Sequence, residues 1–211
     1  MIHAYRQPTY DEQLVIAADP ADGGSDYCAA VVKSRKYFDT IMVYHAHSDS
    51  AQFGHELYRI AKYMQKCTNM FPTMGVERNT GMATIYVLQQ LNYPRLFRMP
   101  NNIGVVDKEE EKKIGWVTNQ ATRAKMLDDL ALSLKQHINI IPHEETILEM
   151  MAFIKNPRSG KPEAAPGKHD DLVMAEAIAW QMVQFAPTAT PSDWGRITQQ
   201  FPDDGVPDYG R

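Results

Sequence analysis

Apolar and polar positions divide the chain into short runs separated by turn residues. Residues 14–18, Leu-Val-Ile-Ala-Ala, form a continuous apolar run with β-branched members. Such a run predicts a buried central strand, here ending at Asp19-Pro20. Residues 21–25, Ala-Asp-Gly-Gly-Ser, have the composition of a turn. Tyr27 to Lys33 and Thr40 to His45 predict two further strands, divided by the polar stretch Ser34-Arg35-Lys36. Short connections between these three runs predict an antiparallel meander.

The period then changes. Phe53, Leu57, Ile60, Ala61 and Met64 recur at helical spacing, with Asp49 or Ser50 as the cap of a helix to about Lys66. Phe71 to Glu77 predicts a fourth strand, Gly81 to Leu91 a second helix, and Leu96 to Met99 a short fifth strand. Residues 100–117 are polar and irregular, with an acidic-basic run from Asp107 to Lys113. Thr118 is the expected cap of a third helix carrying Ala124, Leu127, Leu130 and Leu134 in phase, and 144–151 form another. Pro157, Gly160, Pro162, Pro166 and Gly167 mark 152–168 as an exposed hairpin or loop. The last helix runs from Asp170 to Phe185. The order βββ-α-β-α-β followed by helices predicts an α/β fold, a mixed sheet with helices on both faces. The folded domain is expected over 1–186, with 187–211 as a mobile tail rich in Pro, Asp and Gly.

Composition narrows the function by exclusion. No apolar run reaches the ~18 residues of a membrane span, and the N-terminus lacks the pattern of a secretory signal. Cys28 and Cys67 stand far apart, which argues against a zinc cluster and for a reduced, cytoplasmic setting. The net charge of −4 excludes a protein that grips nucleic acid by overall charge. It leaves room for a nuclease, because carboxylates gathered around metal ions push the total negative. No GxxxxGK[ST] motif is present, and Gly23-Gly24 is too short to cradle a phosphate.

Four carboxylates occupy suggestive places. Asp19 ends the first predicted strand and Glu77 the fourth. If those strands are neighbours, both acids emerge at one edge, where sites of open α/β sheets lie. Asp170 and Asp171 open the last helix and could join them. Grouped carboxylates raise one another's pKa, and hard divalent cations such as Mg²⁺ or Mn²⁺ relieve that repulsion through oxygen ligands. Two such ions can activate a water and stabilise a leaving oxygen at phosphorus. Each acid has a plainer reading. Asp19 before Pro20 is an ordinary turn residue, Asp170 alone satisfies a helix cap, and Glu77 beside Arg78 is an ordinary ion pair. Their joint placement favours a metal-dependent nuclease. His169-Asp170 also matches a metal-binding His-Asp dyad, but the β-rich first half argues against the all-helical folds that carry one. His45, His47 and His55 lie on a strand end, a loop and a helix, and read as surface or core histidines.

The stretches LVIAADPADGGSDYCAAVV, GVERNTG and GKHDDLVMAEAIAW together resemble the nuclease domain of the terminase large subunit of tailed bacteriophages, over about residues 12–186. The resemblance implies an RNase H-like (retroviral integrase-like) fold around a mixed five-stranded sheet. It implies an endodeoxyribonuclease that cuts concatemeric viral DNA during genome packaging in the host cell cytoplasm, with two Mg²⁺ or Mn²⁺ ions and low sequence specificity. Residue by residue, Asp19 resembles the metal-bridging aspartate and Glu77 the acid of the fourth strand. Asp171 matches the acid of the last helix, with Asp170 as cap or second ligand and Asp22 as an accessory acid. The stretch 155–168 matches a hairpin near the family's active site, which makes Arg158, Lys161 and Lys168 candidates for contact with double-stranded DNA. The family's large subunit also carries an N-terminal ATPase with Walker motifs, lacking here, so an excised domain is expected. Portal and small terminase subunit would be partners of the parent protein. A Holliday-junction resolvase-like nuclease and a non-catalytic RNase H-like docking module remain the alternatives.

Overall fold

In the computed structural model, residues 1–21, 27–100, 113–155 and 162–188 are described. Five strands form one sheet: β1 (Ile2–Ala4), β2 (Leu14–Asp19), β3 (Cys28–Ser34), β4 (Thr40–Ala46) and β5 (Thr73–Val76), in the order β1-β4-β3-β2-β5. β2, β3 and β4 form the expected antiparallel meander, and β5 lies parallel to β2, pairing Ala17 with Gly75 and Ala18 with Val76. A crossover from β4 to the far edge through helix α1 (Ser50–Thr68) makes that parallel pair possible.

The sheet is covered on both faces, which explains why its strands read as continuous apolar runs. Leu14, Ile16 and Ala18 of β2 face α1 and α2 (Met82–Gln90) together with Phe53, Leu57, Ile60 and Leu88. Val15 and Ala17 face the opposite core, with α3 (Gln120–Lys135) and α5 (Asp171–Phe185). α4 (Glu144–Met151) packs beside α5. Every residue of α5 from Leu172 to Val183 is buried, because α5 lies between the sheet and α3. At Gly75 a Cβ would collide with the Met182 side chain, so glycine lets α5 approach β5 closely. No helix among the described residues is long and apolar enough to cross a membrane.

Asp49 caps α1, its side chain accepting from the amides of Ala51 and Gln52 at 3.0 and 2.8 Å. The cap of α3 lies one residue later than expected, at Asn119 rather than Thr118, because Asn119 and Thr122 form a capping box. The fifth strand of the sheet is β1, not 96–99. Pro94 and Pro100 close in on that segment and neither can donate a ladder hydrogen bond, so only isolated bridges form, such as Phe97 N to Met74 O at 2.7 Å. β1 adds to β4 instead, aligning Ile2 with Tyr44. Within 152–168, β6 (Phe153–Lys155) and β7 (Pro162–Ala164) pair as an antiparallel hairpin, as expected. Most of the polar segment 100–117 and nearly all of the expected tail at 187–211 lie outside the described residues.

Candidate active site

Parallel pairing of β2 with β5 decides where Asp19 and Glu77 go. The register ends at Ala18 opposite Val76, and the Glu77 amide then donates to the Ala18 carbonyl at 2.8 Å. Asp19 and Glu77 therefore leave the sheet side by side, at the carboxyl ends of neighbouring strands. Glu77 is 3% exposed. Its Oε2 accepts from the Thr80 amide at 3.0 Å and lies 3.1 Å from the Thr80 hydroxyl, which also reaches the Pro20 carbonyl at 2.9 Å. That turn is tight: a Cβ at Gly81 would run into the Glu77 carbonyl. Glu77 Oε1 is buried and has no hydrogen-bond partner.

α5 supplies the other two acids. Asp170 and Asp171 line the same cavity of about 240 Å³ as Asp19, Glu77, Thr118 and Arg123. Asp170 occupies the N-cap position but does not cap, which corrects the expectation that it fills that role. Its Oδ2 instead accepts from Arg123 Nη2 of α3 at 2.6 Å. The amides that a capping side chain would take belong to Leu172 and Val173. They donate to Glu149 Oε2 of α4 at 3.0 and 3.3 Å. Asp171 Oδ2 lies 3.9 Å from His169 Nδ1.

Burial pushes the Asp19 carboxyl well above its usual range, and the charges of Glu77, Asp171 and Asp170 push it further, with Arg123 opposing them. Burial is also the main reason the Glu149 carboxyl is raised to about 7; Asp171 and Asp170 add to this, while the two amide hydrogen bonds work against it. A site that raises carboxylate pKa values in this way stores repulsion that a cation would relieve. All four acids offer hard oxygen donors, and the orphaned Glu77 Oε1 lacks the partner that a divalent ion would provide. As they stand, no three Asp, Glu, His or Cys side chains among the described residues close on one point. Arg123 holds Asp170 Oδ2 at 2.6 Å. The fit to a divalent cation rests on the four oxygen donors that line one cavity and on the orphaned Glu77 Oε1.

Of the other sequence candidates, Asp22, Arg158 and Lys161 lie outside the described residues. Lys168 is exposed and lines a neighbouring hollow of about 550 Å³, shared with His3, Tyr27, His45 and His169, rather than the carboxylate cavity. That hollow is larger, but its acids are only Glu145 and Glu149 of one helix, whereas the smaller cavity gathers four acids from three elements, and we place the chemistry there. His45 and His47 pack around Tyr27, with ring centroids 4.5 and 3.7 Å away, and His55 is exposed, so these histidines serve packing and surface as expected. The sequence pattern does not single out Arg123, Thr80 or Glu149. Arg123 gives no local signal, Thr80 lies only three residues beyond Glu77, and Glu149 hints at itself only as an acid among the apolar positions of α4.

No family model and no curated relative matches the sequence. Solved structures do match. The large terminase nuclease from thermophilic phage G20c superposes with a TM-score of 0.59 at 17% identity, over 84% of this chain and 90% of that one. Its magnesium-bound form gives 0.59 at 18%, over 84% and 89%. The large terminase nuclease domain of Thermus phage P74-26 gives 0.57 at 19%, over 83% of each chain. The G20c nuclease is also solved with cobalt and with zinc. The chain thus has the RNase H-like fold of these nuclease domains, as its sequence resemblance implied.

Proposed function

We propose that this protein is a divalent-metal-dependent endodeoxyribonuclease, the nuclease part of a terminase large subunit, which cuts concatemeric viral DNA during packaging in the host cytoplasm. One observation carries the proposal: Asp19 and Glu77 leave adjacent parallel strands together and share a cavity with Asp171 and Asp170 of α5. The presence of magnesium, cobalt or zinc in nucleases of the same fold supports metal dependence.

Asp19, Glu77 and Asp171 would hold the metal. Two Mg²⁺ or Mn²⁺ ions held there would supply an activated water and a counter-charge for the leaving oxygen. Asp19 would have the central role, since the charges of Glu77, Asp171 and Asp170 all act on its carboxyl. Thr80 fixes one Glu77 oxygen and leaves the other for the ion. Asp170, tied to Arg123, fits a second ligand or a supporting partner better than a cap. Asp22 is proposed as an accessory acid, and Arg158, Lys161 and Lys168 as phosphate contacts. Double-stranded DNA would be the substrate, read with little sequence preference. In a parent protein an N-terminal ATPase domain would join this one, the segment 1–186 forming the nuclease domain and 187–211 a tail, with portal and small terminase subunit as partners.

Plasmid DNA incubated with Mn²⁺ tests the reading directly. Nicking and degradation are expected with the ion, and intact plasmid with chelator. Undiminished cutting by Asp19→Asn would overturn the assignment.

A further inference from the structure

We infer that Glu149 is a positioning residue, which caps α5 from outside so that Asp170 can engage Arg123 and Asp171 can face the proposed metal site. The inference rests on the nuclease reading above and adds a residue to it. The first turn of any α-helix exposes amides without intrahelical partners. An N-cap side chain normally accepts from the second or third of them. In α5 those are Leu172 and Val173, and the residue at the N-cap is Asp170, a strong capping type.

Asp170 does not take the role. Both amides are bound by Glu149 Oε2, at 3.0 and 3.3 Å, from a different helix 23 and 24 residues earlier in the chain. The consequence lies in the direction of the aspartates. An Asp170 engaged in capping would turn its carboxylate back over the helix end and away from Arg123. With Glu149 in place, Asp170 reaches Arg123 at 2.6 Å, and Asp170 and Asp171 both line the cavity that Asp19 and Glu77 share.

Glu149 is not placed among the ligands. It lines the neighbouring hollow with His45 and His169 and does not line the carboxylate cavity. A negative group near the N-terminus of a helix is also favoured by the helix dipole, which offsets part of the repulsion from Asp170 and Asp171. The arrangement gives one helix end three carboxylates with divided tasks: Glu149 satisfies the backbone, Asp170 engages Arg123, and Asp171 faces the site.

The test is Mn²⁺ titration by calorimetry, run beside Mn²⁺-dependent plasmid nicking, on the wild type, Glu149→Ala and Glu149→Gln. Loss of a residue that orients metal ligands weakens metal binding roughly 10–100-fold. Glu149→Ala should show a loss of that size in Mn²⁺ affinity, with its half-saturating Mn²⁺ for nicking raised to match and its plateau rate at saturating Mn²⁺ largely restored. Glu149→Gln keeps an oxygen acceptor for the two amides and should bind Mn²⁺ close to wild type, which also guards against a folding defect in the alanine variant. If Glu149→Ala melts like the wild type and binds Mn²⁺ with wild-type affinity, the assignment is overturned while the nuclease reading stands. The assignment is also overturned if the glutamine variant loses affinity as fully as the alanine variant. If the wild type neither binds Mn²⁺ nor nicks DNA, the nuclease reading falls, and this assignment falls with it.

Discussion

Lys33 of β3 and Glu176 of α5 form an ion pair 3.1 Å apart with both side chains completely buried. Lys33 Nζ also donates to Thr40 Oγ1 and Asn139 Oδ1, each at 2.7 Å, and the Thr40 hydroxyl donates to the other Glu176 oxygen. Burial pulls the Lys33 pKa down, and Glu176 holds it up. The cluster fastens α5 to the sheet five residues beyond Asp171, so it fixes the height at which the helix start bearing Asp170 and Asp171 sits.

Removing one partner of a buried pair leaves the other as an uncompensated charge, at a cost of about 3–5 kcal/mol. Lys33→Met is expected to lose that much, and Lys33→Met/Glu176→Leu to recover part of it, Thr40 and Asn139 still lacking their partner. Urea unfolding would check both. A Lys33→Met variant within about 1 kcal/mol of wild type would mean that the pair contributes far less than buried pairs usually do.

The charge crowding at Asp19 predicts a separation of activity from stability. Its carboxyl is raised first by burial and then by Glu77, Asp171 and Asp170. Asp19→Asn keeps the shape and removes the charge. Without metal, this variant should melt higher than the wild type while cutting nothing. A gain of about 1 kcal/mol would appear as a rise of roughly 2–4 °C for a domain of this size. A lower melting temperature in chelator would show that Asp19 is satisfied without metal, contrary to the reading of a site under strain from its own charges.

Much of this architecture is legible from pattern alone. The run 14–18 and the two strands after it are continuous and β-branched, and a sheet covered on both faces requires such runs. Asp49 announces α1 because a cap is a local device. Asp19 and Glu77 could be placed together because one crossover helix makes parallel neighbours of their strands. β1 escaped notice because three residues, Ile-His-Ala, are too few to show a period. Arg123 and Glu149 escaped for a different reason. Each acts across 47 or 23 residues of chain, on an element whose local pattern does not mention it. Asp170 misled in the opposite direction: its type and position are those of a cap, and the tertiary partner Glu149 overrides them. Glu176, a charge within a largely apolar helix, does carry a signal in the sequence, since such a residue is rarely buried without a partner, and here the partner is Lys33.

The two aspartates of α5 should separate in experiment. Asp170 is engaged by Arg123, whereas Asp171 stands at the first helical position, facing the acids of the sheet. Asp170→Asn should weaken Mn²⁺ binding and cutting roughly 10–100-fold, as expected for a group supporting the ligands. Asp171→Asn should exceed that and leave no measurable cutting at any Mn²⁺ concentration. Equal losses from the two variants would place both carboxylates on the metal. The reverse order would exchange their roles.

Far from the site, Glu12 ties the N-terminal segment to the sheet and predicts a specific acid response. Arg6 donates to Glu12 Oε1 at 2.6 Å and to Oε2 at 3.1 Å, while also gripping Asp39. Burial alone would raise the Glu12 carboxyl. Hydrogen bonds from Arg6, Ser34 and the Thr9 backbone outweigh it and bring the pKa from 4.5 down to about 2. A depressed carboxyl contributes stability above its unfolded pKa, and that contribution fades as pH falls toward the folded value. The window is therefore about pH 4.5 to 2. At neutral pH the proton linkage amounts to something on the order of 3 kcal/mol, from the free energy of one pKa unit. Unfolding free energies of wild type and Glu12→Gln, measured against pH, should differ by a constant amount above about pH 5 and converge as the acid window is crossed. A difference that stays constant down to pH 2 would mean that the Arg6–Glu12 pair does not discriminate between the charged and neutral carboxyl, and that Glu12 holds the segment by packing alone.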